Sequence, residues 1–462
     1  MTRIPIVLLA ILILGYAWVG SSDSAAAIEV LPGGSINAAI TAATPGSLIS
    51  IHAGTYSEQV AVTKQVVLQP FGDGPVWVSG DCARPYGIII TEGGAGSAIK
   101  GLGVKMANES GVRIDDAPDI VLDGLTIQDY NCANANLHLA AGVAVREATR
   151  ITVTGSNIIR RVEVAGPLKG QGDALWFKNT RVDRGGGHAI TNNRIIGGWD
   201  GLGGEGENST VGILHKDSLV AGNHISDCDD DGIQVEGGTA NVVVRDNLIE
   251  RCAIGIAFAP SNVGPLTIER NRILNLVPGF YGSTNGMKIG DGGSGDVFIT
   301  ANILLTNNPD FPNAAASCIA QTNTGMGMRF VVTDNTFQCG AYIYEIDGTQ
   351  PAGFVYDHNC MWTTDTIGRF VKWAGGVKYG SLAEFQQATG QEPNGRQTQD
   401  CSFLQPAPTV TPVPTVTPIP PVTPTATATA TATPELLCQV VVFVDGQPKI
   451  IRKETSFCVE VP

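Results

Sequence analysis

Along the middle of the chain, short apolar bursts recur, each ending on the same punctuation. The segments VTGSNII, AITNNRI, LVAGNHI, VVVRDNLI, LTIERNRI, VFITANIL, FVVTDNTF and FVYDHNCM each carry a β-branched stretch into an asparagine, with an aliphatic residue close behind. The asparagines are Asn157, Asn193, Asn223, Asn247, Asn271, Asn302, Asn335 and Asn359, at gaps of 36, 30, 24, 24, 31, 33 and 24 residues. A near-constant period with insertions predicts a solenoid whose coils stack on their neighbours. Coils of short β-branched strands joined by Gly/Asn turns predict an all-β parallel β-helix, not an array of helical pairs. Asparagine suits such a ladder because it tolerates the left-handed turn conformation and its amides hydrogen-bond when stacked.

The open strand edges at the ends of a solenoid need covers. At the front, SINAAITAA predicts a short amphipathic helix beginning at Ser35 and presenting Ile36 and Ile40. At the rear, SLAEFQQATG predicts a second helix, with Ser381 and Glu384 as a capping box, Leu382 and Phe385 as its apolar stripe and Gly390 as its stop. The β-helix is accordingly expected over residues 28–404. Residues 1–27 read as an export signal: Arg3, the apolar run IPIVLLAILILGYAWVG and a small-residue cleavage site ending at Ala27. Residues 405–434 are a Pro/Thr-rich spacer unable to bury a core, and residues 435–462 form a tail with a hairpin signal at Asp445-Gly446 that Cys438 and Cys458 can staple.

Setting the coils in register shows where charge collects. Aligned on the residue before the glycine-led strand, one column reads Ala141, Asp173, Asp200, Asp231, Ile254, Asn285. Three places on are Ala144, Trp176, Gly203, Gln234, Ala257 and Lys288, and five places on are Arg146, Lys178, Glu205, Glu236, Ala259 and Gly290. Adjacent rungs lie about 4.8 Å apart, so stacked carboxylates either raise a pKa or recruit a cation. The run SDCDDDG adds Asp229 and Asp230 beside Asp231. A hard divalent cation such as Ca²⁺ takes roughly six to eight oxygens, and Asp200, Asp229, Asp230, Asp231, Glu205 and Glu236 are the candidate donors. Asx turns at Asp-Gly steps are the structural alternative for any one of these residues.

The composition narrows the partners. A net charge of −14 with only 16% charged residues argues against nucleic acid and leaves cations, sugars and an acidic polymer met at local basic positions. Ten cysteines fit an oxidising exterior, and the repeat brings Cys228 to Cys252 and Cys318 to Cys339. The expected product is a secreted monomer, free of the membrane once the signal is cleaved, with surface tethering through the tail as a variant.

The opening INAAITAATPGSLISIHAGTYSEQVAVTKQVVLQ, the asparagine coils and the closing FVKWAGGVKYGSLAEFQQATGQEP resemble right-handed parallel β-helix proteins of the pectate-lyase-like superfamily. The resemblance spans about four-fifths of the chain and is specific for fold rather than reaction. It implies action on polysaccharide, first as a Ca²⁺-assisted lyase of a uronic-acid polymer such as pectate or alginate. Lys178, Lys288 or Arg146 would then be the base, Trp176, Gln234 and Asp173 would contact sugar, and the acidic set would hold the metal. A polygalacturonase-type hydrolase is the second reading. The order WDGL, DDDGI, NGMKI is similar to that family's, but AIGIAFA stands where those enzymes carry Gly-His-Gly, and His188 and His215 fall in insertions. The third is a non-catalytic, adhesin-like glycan-binding solenoid. Pectin-esterase and alginate-epimerase motifs are absent from the sequence.

Overall fold

The computed structural model describes residues 28–404, apart from 134–136, 161–171, 207–210, 259–260, 280–283, 291–292, 312–315, 322–326, 350–352, 366 and 403, together with the backbone of 438–444 and 447–453. Each coil lays down three short strands, as in Ser47–Ile51, Gly54–Tyr56 and Val60–Val62, before the next coil begins at Val66. Stacked coils join like strands into three sheets of 13 strands each, paired in parallel except where Val371–Trp373 meets Val377–Tyr379 antiparallel. This is the parallel β-helix expected from the repeat. Its core is a continuous stack of Ile, Val, Leu and Phe from all three sheets, since alternate residues of every strand point inward.

The asparagines occupy the corner between the first and second sheets. Asn193, Asn223, Asn247, Asn271, Asn302, Asn335 and Asn359 are all buried. Each of the first six donates its side-chain amide to the Oδ1 of the next, at 2.9–3.0 Å. The last, Asn359, donates to Glu392 at 2.7 Å. Asn157 is not a rung. Pairing of Asn157 with Arg194 shifts the sequence by one residue, and Ser156 takes the ladder place, its N–H donating to Asn193 Oδ1.

Helix α1 (Ile36–Ala42) is capped by the Ser35 hydroxyl and buries Ile36 and Ile40. Helix α2 (Leu382–Thr389) is capped by Ser381, ends at left-handed Gly390 and buries Leu382 and Phe385. In α2 the Glu384 carboxylate reaches the Gly380 N–H, completing the box one residue earlier than a direct return to Ser381. Disulfides join Cys228 to Cys252 and Cys318 to Cys339 as the repeat predicts. Two further bridges, Cys82–Cys132 and Cys360–Cys401, span insertions that the period alone does not align. In the tail, Cys438–Val444 pairs antiparallel with Gln447–Lys453; the Asp445-Gly446 step itself lies outside the described residues. The export signal, the spacer and the Cys438–Cys458 staple lie outside the described residues. Among the described residues no helix is long and apolar enough to cross a membrane.

Candidate functional site

The acidic column stands at the corner between the second and third sheets. Pairing of Leu175 with Leu202, Leu202 with Ile233 and Asp231 with Ile254 puts Asp173, Asp200 and Asp231 on consecutive rungs, as the sequence register requires. The glycine after each of the last two is obligatory for packing. A Cβ at Gly201 would stand 2.4 Å from Ile225, and one at Gly232 would stand 2.5 Å from Ile249. The Asp-Gly step therefore combines a close-packed inner residue with an outward carboxylate.

The column is outward in direction yet closed to solvent: Asp173 is 0% exposed, Asp200 3% and Asp231 1%. Burial is the largest influence on all three and drives their pKa values upward, Asp173 to about 6, Asp231 to about 8, and Asp200 well above the ordinary carboxylate range. Asp200 is pushed further by the carboxylates on either side, while its Oδ1 accepts the Asp231 N–H at 2.9 Å. Asp173 Oδ2 and Asp231 Oδ1 are buried without a hydrogen-bond partner.

Above this buried layer lie three accessible groups. His138 sets its Nδ1 3.0 Å from Asp173 Oδ1, leaving the ring half exposed. Lys288, two coils beyond Asp231, reaches back so that its Nζ donates to Asp231 Oδ2 at 3.1 Å. Asp230, part-exposed, joins Asp200 and Asp231 in a set whose oxygens lie within 4.8 Å of one another, and His138, Asp173 and Asp200 form a second such set. The Asp173 carboxylate raises the His138 pKa, and Asp231, Glu236 and Asp230 together raise that of Lys288 against the lowering effect of burial.

Of the residues marked in the sequence, Asp173, Asp200, Asp230, Asp231 and Lys288 converge. Glu236 is half-buried nearby, its pKa raised by burial and moderated by Lys288. Asp229 turns instead to buried Arg160, at 3.5 Å. Lys178 and Arg146 pair with other carboxylates, Lys178 with Glu205 and Arg146 with Asp115, although Glu205 is near enough to act on both Asp173 and His138. Trp176 offers no open face: at 1% exposure it packs on Ala141 and Ala144 and lies under the Arg113 guanidinium. Gln234 accepts the Gly204 N–H through its Oε1. His188 and His215 are buried, and His188 is packed against Phe177, so neither is loop surface.

His138 escaped the sequence reading. It sits in NLHLAAG, one coil ahead of Asp173 and outside the strand register, so column alignment passes over it. A histidine four residues ahead of Gly142, which leads the strand at the same corner, was the available signal.

A family model described as "Right handed beta helix region" matches residues 86–337. No curated protein matches the chain. Among solved structures, pectate lyase Pel9A is 14% identical over 82% of this chain and 86% of its own, with a TM-score of 0.37. The alginate lyase of Paenibacillus sp. str. FPU-7 is 15% identical over 76% of this chain and 99% of its own, with a TM-score of 0.38. The catalytic domain of a GH87 α-1,3-glucanase, in complex with nigerose, is 12% identical over 82% of this chain and 69% of its own, with a TM-score of 0.43. At these identities the likeness is one of fold.

Proposed function

The chain belongs to the right-handed beta helix family, and on that premise we propose that it is a secreted polysaccharide lyase that cleaves a uronic-acid polymer by β-elimination, with His138 as the proton-transfer group. The observation that carries this reading is the pairing of a half-exposed imidazole with a wholly buried carboxylate. With the Nδ1 proton donated to Asp173, Nε2 presents its lone pair outward, and the dyad fixes both tautomer and ring orientation.

The proton on the carbon beside the substrate carboxylate passes to His138 Nε2. The electron pair left behind forms the carbon–carbon double bond as the bond to the glycosidic oxygen breaks. The imidazolium then returns that proton to the departing oxygen, restoring His138. The substrate carboxylate must be neutralised for its neighbouring proton to become removable, and Lys288 carries the positive charge on the opposite side of the acid column. Lys288 is a poor base here, because three acids hold its ammonium charged.

Ca²⁺ fits the donor set. Asp200, Asp230 and Asp231 offer only oxygens, close together, and Asp231 Oδ1 is buried and unpartnered. These three residues would hold it, and its contribution when bound is to neutralise the substrate carboxylate. Asp229, Glu205 and Glu236 fall outside that set of mutually close oxygens.

The test is incubation with pectate and alginate, with and without chelator, following both absorbance of the unsaturated uronate and new reducing ends. Elimination predicts both signals, rising with pH as His138 loses its proton above its ordinary range. Glycoside hydrolysis is the second reading, favoured by the separation of Asp173 (about 6) and Asp231 (about 8) within one column, an acid–base pair in a single stack. It predicts reducing ends without the absorbance. Polymer binding with neither product would leave the glycan-binding solenoid.

A further inference from the structure

Beside the acid column, the same corner opens into a cavity of about 360 Å³ that the chemistry above does not use. Asp227 and Asp229 come from the turn that delivers Asp230 and Asp231, Arg251 from the equivalent turn one coil later, and Val277, Pro278 and Phe311 from the coils beyond. Its size is at the low end of ligand pockets, roughly 300–1,000 Å³. Phe311 is 43% exposed, a large ring held at the surface where burial would be worth more. The polar side is rigid: Arg251 donates to both oxygens of Asp227, at 2.7 and 2.9 Å, and its third nitrogen lies 3.2 Å from Glu250.

We infer that this cavity is a sugar subsite specific for an uncharged residue of the same polysaccharide, with Phe311 as its stacking platform. Two facts exclude a uronate there. The guanidinium of Arg251 is committed to Asp227 and Glu250, and that of Arg160 faces Asp229, so both nearby cations already have carboxylate partners. Asp227 and Asp229 also line the cavity, and a third carboxylate beside them meets repulsion at close range. A neutral pyranose meets the opposite conditions: its hydroxyls donate to the carboxylates, and its C–H face lies on Phe311, Pro278 and Val277. Since Asp229 and Asp231 belong to one turn, the neutral sugar is placed on the same bound chain as the cleaved unit. The polymer is then a heteropolysaccharide or a branched one.

This rests on the proposed catalytic reading only for its location, and binding tests it separately. Titrate the full chain, by calorimetry or saturation-transfer NMR, with gluco-, manno- and galacto-oligosaccharides and with a uronate oligosaccharide, for the unaltered protein and the Phe311→Ala and His138→Ala variants. The expected result is saturable binding of at least one neutral oligosaccharide, weakened about tenfold or more by F311A and untouched by H138A, with uronate binding insensitive to F311A. Absence of binding by every neutral oligosaccharide overturns the subsite, as does binding that F311A leaves unchanged. Neutral-sugar binding without cleavage of any polymer would instead sink the lyase and leave the subsite standing.

Discussion

Two corners of this solenoid stack one polar residue type rung upon rung, with opposite consequences. Between the first and second sheets, each asparagine has both a donor and an acceptor, so every ladder amide before Asn359 meets the next asparagine's carbonyl and a backbone carbonyl besides, as Asn247 does with Asn271 and Val220. Between the second and third sheets, the aspartates have only acceptors when ionised. Their stack cannot satisfy itself, leaves oxygens on Asp173 and Asp231 unpartnered, and holds protons well above the ordinary carboxylate range. The asparagine corner is a stable spine. The aspartate corner is a strained, titratable one, partly compensated by His138 at one end and Lys288 at the other. The proposed chemistry sits where the ladder fails to close.

The contrast is broken most sharply by moving aspartate chemistry into the spine. Asn247→Asp removes both amide donors and buries a charge, and is expected to cost about 3–5 kcal/mol, seen as a lower denaturant midpoint at neutral pH. Next in size is His138→Ala, expected to lower turnover about a hundredfold or more while circular dichroism and the unfolding midpoint stay near those of the unaltered chain.

The reverse exchange, Asp200→Asn, turns an acidic rung into an amide one. It keeps the acceptor for the Asp231 N–H and relieves repulsion on both sides, so at pH 8 it is expected to stabilise by about 1–3 kcal/mol while depressing activity. The sign follows from linkage. Asp173 and Asp231 have folded pKa values raised to about 6 and about 8, so the stability they contribute is full below about pH 4 and is lost as pH rises through those values. Midpoints measured between pH 5 and about pH 8.5 therefore decline in the unaltered chain and decline less in D200N. The smallest effect belongs to Lys178→Ala, which breaks a part-exposed pair with Glu205: about 0.2–1 kcal/mol of stability, and turnover within about twofold.

Much of the comparison was legible before any coordinates. A period-two apolar pattern with asparagine punctuation fixes stacked coils, because one slip would turn every side chain to the other face. That rule placed Asp173, Asp200 and Asp231 in one column, and Lys288 three places along the strand, two coils on. It failed at Asn157, where the serine ahead of it occupies the rung. Register also says which residues share a column but not how far apart two columns lie in effect. Lys178 and Arg146 shared the coils yet found partners elsewhere.

By itself, the sequence determined the repeat, the solenoid it builds, the two capping helices and the order of charges along the third sheet, since local periodicity and rung-to-rung pairing decide these. Only the tertiary structure decided that the acids are buried, that Trp176 is covered, and that His138 swings over Asp173 from a turn outside the register. Burial and approach depend on what neighbouring coils and their connecting turns lay over a residue, and no periodic pattern carries that information.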